Sequence, residues 1–256
     1  MLALAKLCSL HIIGDWGRRG QFFQRNIAAK MQEMAHDAVI SVGDNFYPDG
    51  IQSPVDTQIK ESWSDIYNPE RPWYVALGNH DYHGNATAQI EIRHPYWNMP
   101  ANQYEFTICN HSFVVIDSTS MDDQKWNDVD YLLQKTPSIY KWIVAHHPIY
   151  SGGWHHNVDT EYRQKISDLV YKHNVLGILS GHDHNLQYID WGGVRQVVSG
   201  AGSSAYHAFY PQKGLEFMNS TAGFVNMGVY KDRVELQFIG MDKLLFEKTI
   251  YYPYLK

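Results

Sequence analysis

Cysteine is nearly absent: Cys8 and Cys109 are the only two in 256 residues. A small scaffold held by disulfides is therefore excluded. Each cysteine lies in an apolar, strand-like segment, so two buried free thiols are expected. Long hydrophobic runs are missing too. No stretch of 18 or more apolar residues occurs, which leaves no spanning helix and no membrane partner. There is no basic surplus, because 21 Lys and Arg stand against 27 Asp and Glu for a net charge of −6. A basic stripe that tracks phosphate backbones is absent, and no nucleic-acid partner is expected. Repeats, low-complexity tracts and linkers are also lacking. The opening "MLALAKLCSLHII" shows no separate basic, apolar and cleavage regions, so it reads as the approach to a first strand rather than as a leader.

What is present is ordinary globular material, 19% charged and 44% hydrophobic. A chain of 256 residues can bury a core without staples, and one domain over 1–256 is expected. Strand-like runs at 7–13, 38–42, 73–77, 112–117, 141–145 and 175–180 alternate with helical spacing at 21–36, 55–67, 86–95, 124–135 and 160–173. That alternation predicts an α/β fold with mostly parallel central strands. After residue 185 the pattern becomes hairpins, one around Gly192-Gly193 and one around Lys231-Asp232, with a last strand at "LLFEKTIYY". Two packed sheets flanked by helices follow from this layout.

The unusual abundance is histidine, with 14 residues, several adjacent or alternating. The strands run into polar clusters: Gly14-Asp15-Trp16-Gly17, Gly43-Asp44-Asn45-Phe46-Tyr47, Gly78-Asn79-His80-Asp81, His146-His147-Pro148 and Gly181-His182-Asp183-His184. In open α/β sheets ligands bind beyond the carboxyl ends of strands, so these clusters are expected to converge. Singly most are weak, since "GD" after a strand is common turn and cap chemistry. "GHDH" is stronger, because histidines at i and i+2 on extended backbone face one side. Tyr47 has two readings, a packing ring or a phenolate ligand.

Together, "GDWG", "GDNFY", "GNHDY", "VAHHP", "GHDHNLQY" and "VSGAG" resemble the calcineurin-like metallophosphoesterases. Within them they are similar to the purple acid phosphatases, especially the small tartrate-resistant type. The resemblance implies a four-layer αββα sandwich of two mixed sheets. It implies hydrolysis of phosphate monoesters, small or on phosphoproteins, by attack of a metal-bound hydroxide with histidine protonating the leaving group. Fe(III) would take Asp15, Asp44, Tyr47 and His184. A second divalent metal, Fe(II), Zn or Mn, would take Asp44, Asn79, His146 and His182, with Asp44 as the bridge. His80, His155 and His156 would hold phosphate oxygens and move protons, the main donor among them being open. An imidazole acid suits a mildly acidic medium.

His147 is expected beside the ligands rather than among them, because adjacent strand residues point opposite ways. Asp81 and Asp183 are either orienting carboxylates or turn residues. Trp16, Tyr82 and Trp154 either line the pocket mouth or pack its rim. The alternative is a metallophosphodiesterase of the same superfamily, whose first motif reads Asp-x-His; here position 17 is glycine. A non-catalytic relative would have lost ligands, and all seven positions are filled. Relatives are secreted, lysosomal or periplasmic, and a monomer is expected. Asn85, Asn110 and Asn219 each begin a glycosylation triplet.

Overall fold

The computed structural model describes residues 5–252. The first four residues of the opening segment lie outside them. Two seven-stranded sheets form the centre. The first contains β1 (Cys8–Ile13), β2 (Ala38–Ser41), β3 (Trp73–Val75), β4 (Trp97–Asn98), β12 (Gly223–Val229), β13 (Arg233–Gly240) and β14 (Leu244–Tyr251). Its order is β14-β13-β12-β1-β2-β3-β4, with β1 to β4 parallel and the hairpin strands antiparallel. The second contains β5 (Tyr104–Ile108), β6 (His111–Ile116), β7 (Tyr140–Ala145), β8 (Val175–Ser180), β9 (Leu186–Trp191), β10 (Val194–Ser199) and β11 (Leu215–Asn219). Its order is β11-β9-β10-β8-β7-β6-β5, parallel through β6, β7, β8 and β10.

The helices are α1 (Gln24–Gln32), α2 (Thr57–Ile59), α3 (Asp65–Tyr67), α4 (Asp123–Lys135) and α5 (Thr160–His173). Apolar side chains from the facing sides of both sheets share one core, which also takes Ile27, Ala28 and Met31 of α1. A second core lies between the outer face of sheet two and helices α4 and α5. The longer helices start where short polar side chains accept the first free amides: Asp122 from Lys125 and Asp159 from Tyr162. Among the described residues no helix is long and apolar enough to cross a membrane.

The alternation and both hairpins stand as expected from the sequence, with Gly192 and Gly193 at positive φ in the first turn. Several elements differ. The helical stretch at 55–67 is interrupted by a π-turn over Lys60–Ser64. The stretch at 86–95 forms only a 3-10 turn over Ala86–Gln89, capped by Asn85. Beyond it Ile90 and Ile92 alternate, and the chain descends through Pro95 to β4 instead of continuing a helix. The edge strands β4, β5 and β11 are short and half-buried, so their alternation was too brief to read.

The two cysteines are not free. Cys8 at the start of β1 and Cys109 in the β5–β6 turn form a disulfide across the two sheets. Cys8 is in a strand as expected, but Cys109 lies in a turn with a φ of 53°. Only the packing of one sheet on the other brings residues 101 apart in sequence to a Cα separation of 6.3 Å.

His111 opens β6 and is buried. The Trp142 indole N–H donates to its Nδ1 at 2.9 Å, and its Nε2 lies 2.8 Å from the Tyr252 hydroxyl. That pattern fixes a neutral ring, and burial pulls its pKa down to about 4. The unfolded chain therefore binds the extra proton first. Stability from this ring is complete above about pH 6.5 and declines as pH falls towards about 4, by about 3 kcal/mol. Buried His11, lowered by burial and by His36, acts in the same direction. His111→Gln is expected to flatten the pH dependence of unfolding free energy across that window. Denaturant titrations at pH 4 to 6.5 measure it, and an unchanged slope would refute the assignment.

Candidate dinuclear metal centre

All the strand-end clusters meet at one edge of the two sheets. Asp15 follows β1, Asp44 follows β2 and Asn79 follows β3, while His146 follows β7 and His182 and His184 follow β8. The first three come from sheet one and the last three from sheet two, so the site spans the sheet interface. Asp15, Asp44 and His182 have φ of 60°, 52° and 67°. Left-handed backbone at non-glycine residues costs on the order of 1 kcal/mol each and gathers at functional sites.

The side chains form two groups around Asp44. The Tyr47 hydroxyl donates to Asp44 Oδ2 at 2.7 Å and lies 3.0 Å from Asp15 Oδ1 and 3.2 Å from His184 Nε2. His184 Nε2 is 3.3 Å from Asp15 Oδ1. On the other side, Asp44 Oδ1 is 3.4 Å from His146 Nε2. His146 Nε2 in turn lies 3.2 Å from Asn79 Oδ1 and 3.3 Å from His182 Nδ1. Asp44 thus presents one carboxylate oxygen to each group. Asp15, Asp44 and His146 each offer a ligand atom within 4.8 Å of the others.

The residues fit metal ions on chemical grounds. Asp15 and Asp44 are buried, and the atoms facing them are oxygen and imidazole nitrogen. Ligands about 2.1 Å from a common cation, near 90–110° apart, stand about 3.0–3.4 Å from one another. Apart from the 2.7 Å hydrogen bond from Tyr47 to Asp44, the observed separations lie in that range. In the protein alone, burial would raise Asp44, but His146 and the Tyr47 hydrogen bond hold it well below the usual carboxylate range. Burial lowers His146, and Asp44 outweighs this and pushes it up to about 9. Burial and the Asp15 and Asp44 charges hold the Tyr47 phenol well above its ordinary value.

The imidazoles are oriented from behind. Val42 carbonyl oxygen lies 2.9 Å from His146 Nδ1, and Ser204 Oγ lies 3.0 Å from His184 Nδ1. Each contact leaves Nε2 turned into the site. Asp81 accepts N–H groups from Gly78 at 2.8 Å, Asn45 at 3.1 Å and the Gln89 amide at 2.8 Å. It clasps the Asp44 loop to the Asn79 loop. Asp183 accepts the His155 N–H at 2.9 Å and the Ser151 hydroxyl, tying down the 151–155 loop.

The three further histidines separate. His80 packs its ring 4.3 Å from Tyr47, its N–H donates to Asp44 Oδ1 at 2.8 Å, and its Nδ1 lies 2.7 Å from the Pro48 carbonyl. His155 lies over His182 with ring centres 3.9 Å apart. His156 stacks on Tyr210 with ring centres 3.6 Å apart. His147 is held by Ser118 at 2.9 Å and sits beside His182; burial and His146 bring it down to about 3. Trp16 is not at the pocket mouth. It is fully buried, its indole N–H donates to Ser41 Oγ at 2.8 Å, and Phe46, Tyr67 and Trp73 surround it. Trp154 is exposed at the rim, and the half-exposed Tyr82 donates its hydroxyl to buried Asp117.

Two glycines decide the geometry. A Cβ on Gly17 would lie 1.7 Å from the Asn45 carbonyl oxygen, so no side chain fits there. The Tyr47 N–H donates to the Gly17 carbonyl at 2.8 Å, and this contact draws the phenol into the site. A Cβ on Gly78 would lie 2.2 Å from Asp44 Oδ1. Sequence reasoning missed Arg18, whose guanidinium stands 3.6 Å over the Tyr47 ring and bonds Ser203 Oγ at 3.0 Å. Its place directly after "GDWG" was the available signal.

The family model for calcineurin-like phosphoesterases matches residues 9–186. Purple acid phosphatase 7 of Arabidopsis thaliana is 30% identical over 86% of this chain and 79% of its own length. The chain belongs to the purple acid phosphatases of the calcineurin-like phosphoesterase family. The tartrate-resistant acid phosphatase type 5 of Oryctolagus cuniculus is 28% identical over 93% of this chain and 89% of its own. In fold, the purple acid phosphatase from yellow lupin seeds superposes with a TM-score of 0.76 at 16% identity, covering 96% of this chain and 54% of that one. The GAP50 anchor of the Plasmodium inner membrane complex superposes at 0.84 with 23% identity, over 95% and 89%. The four-layer α/β phosphoesterase fold is thereby shared, and the relatives named as acid phosphatases are hydrolases.

Proposed function

We propose that this purple acid phosphatase relative hydrolyses phosphate monoesters at a dinuclear metal centre. The observation that carries the reading is Asp44, whose two oxygens face two separate donor groups. Asp15, Asp44, Tyr47 and His184 form the anionic, oxygen-rich set suited to Fe(III). Asp44, Asn79, His146 and His182 form the set suited to Fe(II), Zn or Mn. Bound there, two such ions supply charge neutralisation for phosphate and a water acidified for attack.

The chain's own residues supply the rest. His80 and His155 stand on opposite sides of the centre, against Tyr47 and His182. With Nδ1 of His80 against the Pro48 carbonyl, Nε2 is its remaining atom for a phosphate oxygen. His155 borders the open cavity where the alcohol departs, and it hands that oxygen a proton. His156, stacked on Tyr210, supports the loop that presents His155. The steric block at Gly17 weighs against the diesterase reading, because the histidine of that motif has no room. The Cys8–Cys109 bridge supports a secreted, lysosomal or periplasmic location, where disulfides persist. A monomer is retained as part of the proposal.

Protein reconstituted with iron and a divalent partner is expected to hydrolyse 4-nitrophenyl phosphate at acidic pH and to show a visible tyrosinate absorption band. Tyr47→Phe is expected to lose that band. A reconstituted enzyme without hydrolysis would sink the phosphatase reading. A band that survives in Tyr47→Phe would remove Tyr47 alone from the ligand set.

A further inference from the structure

A cavity of about 600 Å³ opens beside the candidate centre, with His147, His155 and His182 at its inner end. Trp126, Trp154 and Tyr162 line it. A second cavity of about 550 Å³ continues between α4 and α5, sharing Asp123, Trp126 and Lys165 with the first. The two make one groove that starts at the site and runs along the helices. From Glu161 to Lys172, α5 rises about 16 Å, the span of about five extended residues. The groove is therefore longer than the leaving group of a small ester.

Its charge is one-sided. Asp122, Asp123, Asp159 and Glu161 line the inner cavity, and Asp130 and Asp168 the outer one. Among the described residues, Lys165 and Lys172 are the only lysine or arginine side chains lining either. Both are already engaged: Lys165 lies 3.1 Å from Glu161 and 3.5 Å from Asp123, and Lys172 lies 2.8 Å from Asp130. Asp168 meets only the Gln164 amide, at 2.8 Å, and is exposed. Among the described residues, no unpaired lysine or arginine is left there to receive an acidic chain or a polyphosphate.

We infer that the groove between α4 and α5 takes the flank of a phosphorylated polypeptide, and that this flank is basic. The inference rests on the phosphatase reading and names the substrate class for it. The phosphorylated side chain enters past Trp126 and Tyr162 to the histidines, and lysines or arginines beside it lie against the carboxylates. Contacts of this exposed kind act mainly on encounter and selectivity and weaken with salt.

The test measures binding without turnover. Fluorescent peptides carrying a non-hydrolysable phosphonate analogue of phosphotyrosine, flanked by lysines or by glutamates, are titrated with metal-loaded protein and followed by anisotropy. The basic peptide is expected to bind about 10-fold more tightly at low salt, with the difference shrinking as salt rises. Glu161→Lys with Asp168→Lys is expected to abolish or reverse the preference while leaving turnover of 4-nitrophenyl phosphate unchanged. Equal affinity for the two peptides, or a preference that survives both substitutions, would overturn the inference. Absent hydrolysis of the aryl ester would count against the phosphatase reading alone, since the peptide comparison does not depend on turnover.

Discussion

Asp44→Asn is expected to lower kcat/KM on 4-nitrophenyl phosphate by at least about 10³-fold, about 4 kcal/mol of transition-state stabilisation. The substitution keeps the shape and removes the charge on which both donor groups converge. Either the Tyr47 hydroxyl at 2.7 Å would then face an amide NH2, or His146 at 3.4 Å would lose its oxygen partner. An asparagine presents one acceptor oxygen, so at most one group keeps its shared ligand. The His80 N–H, which donates to Oδ1, keeps its acceptor only where the asparagine oxygen takes that position. Metal analysis should show loss of one or both ions, and steady-state kinetics should show the fall mainly in kcat. A variant that retains two metals and near-native turnover would remove Asp44 from the bridging role.

Loss of the Cys8–Cys109 bridge has the largest expected effect on stability. It closes a loop of 101 residues, for which the chain-entropy relation gives about 4.7 kcal/mol. In a chain of this size that corresponds to a fall in Tm on the order of 10 °C. The bridge ties β1 of one sheet to the β5–β6 turn of the other, so its removal frees the sheets to separate. Activity at 25 °C should persist, because Cys8 sits at the opposite end of β1 from Asp15, about 20 Å away along the strand. Thermal melts of Cys8→Ser, and of native protein with reductant, measure the shift. Unchanged melting in both would show that the bridge does not hold the sheets.

Much of this protein was legible along the chain because its chemistry is local. Each donor follows a strand directly, and a strand-end residue in a parallel sheet is delivered to one edge whatever the rest of the sequence does. Asp15, Asp44, Asn79, His146, His182 and His184 needed only that rule and the alternation of strands and helices. The i and i+2 histidines of "GHDH" do reach one site, but from a bend with His182 at a φ of 67° rather than from pleated strand, and each joins a different donor group. The hairpins after residue 185 were carried by their turn residues.

What the tertiary structure decided depends on residues far apart in sequence. The disulfide exists because two sheets pack face to face, and neither cysteine's neighbours encode that. Trp16 was read at the pocket rim but fills the core under sheet one, because Ser41 offers its indole a partner 25 residues away. The left-handed backbone at Asp15, Asp44 and His182 arises from closing loops against one another. Tyr47 illustrates both sources. Its chemical type and its distance from Asp44 were plain in "GDNFY". Its position against Asp15, Asp44 and His184 follows from the collapse of that loop onto a side-chain-free Gly17, a close approach that only the folded chain can impose.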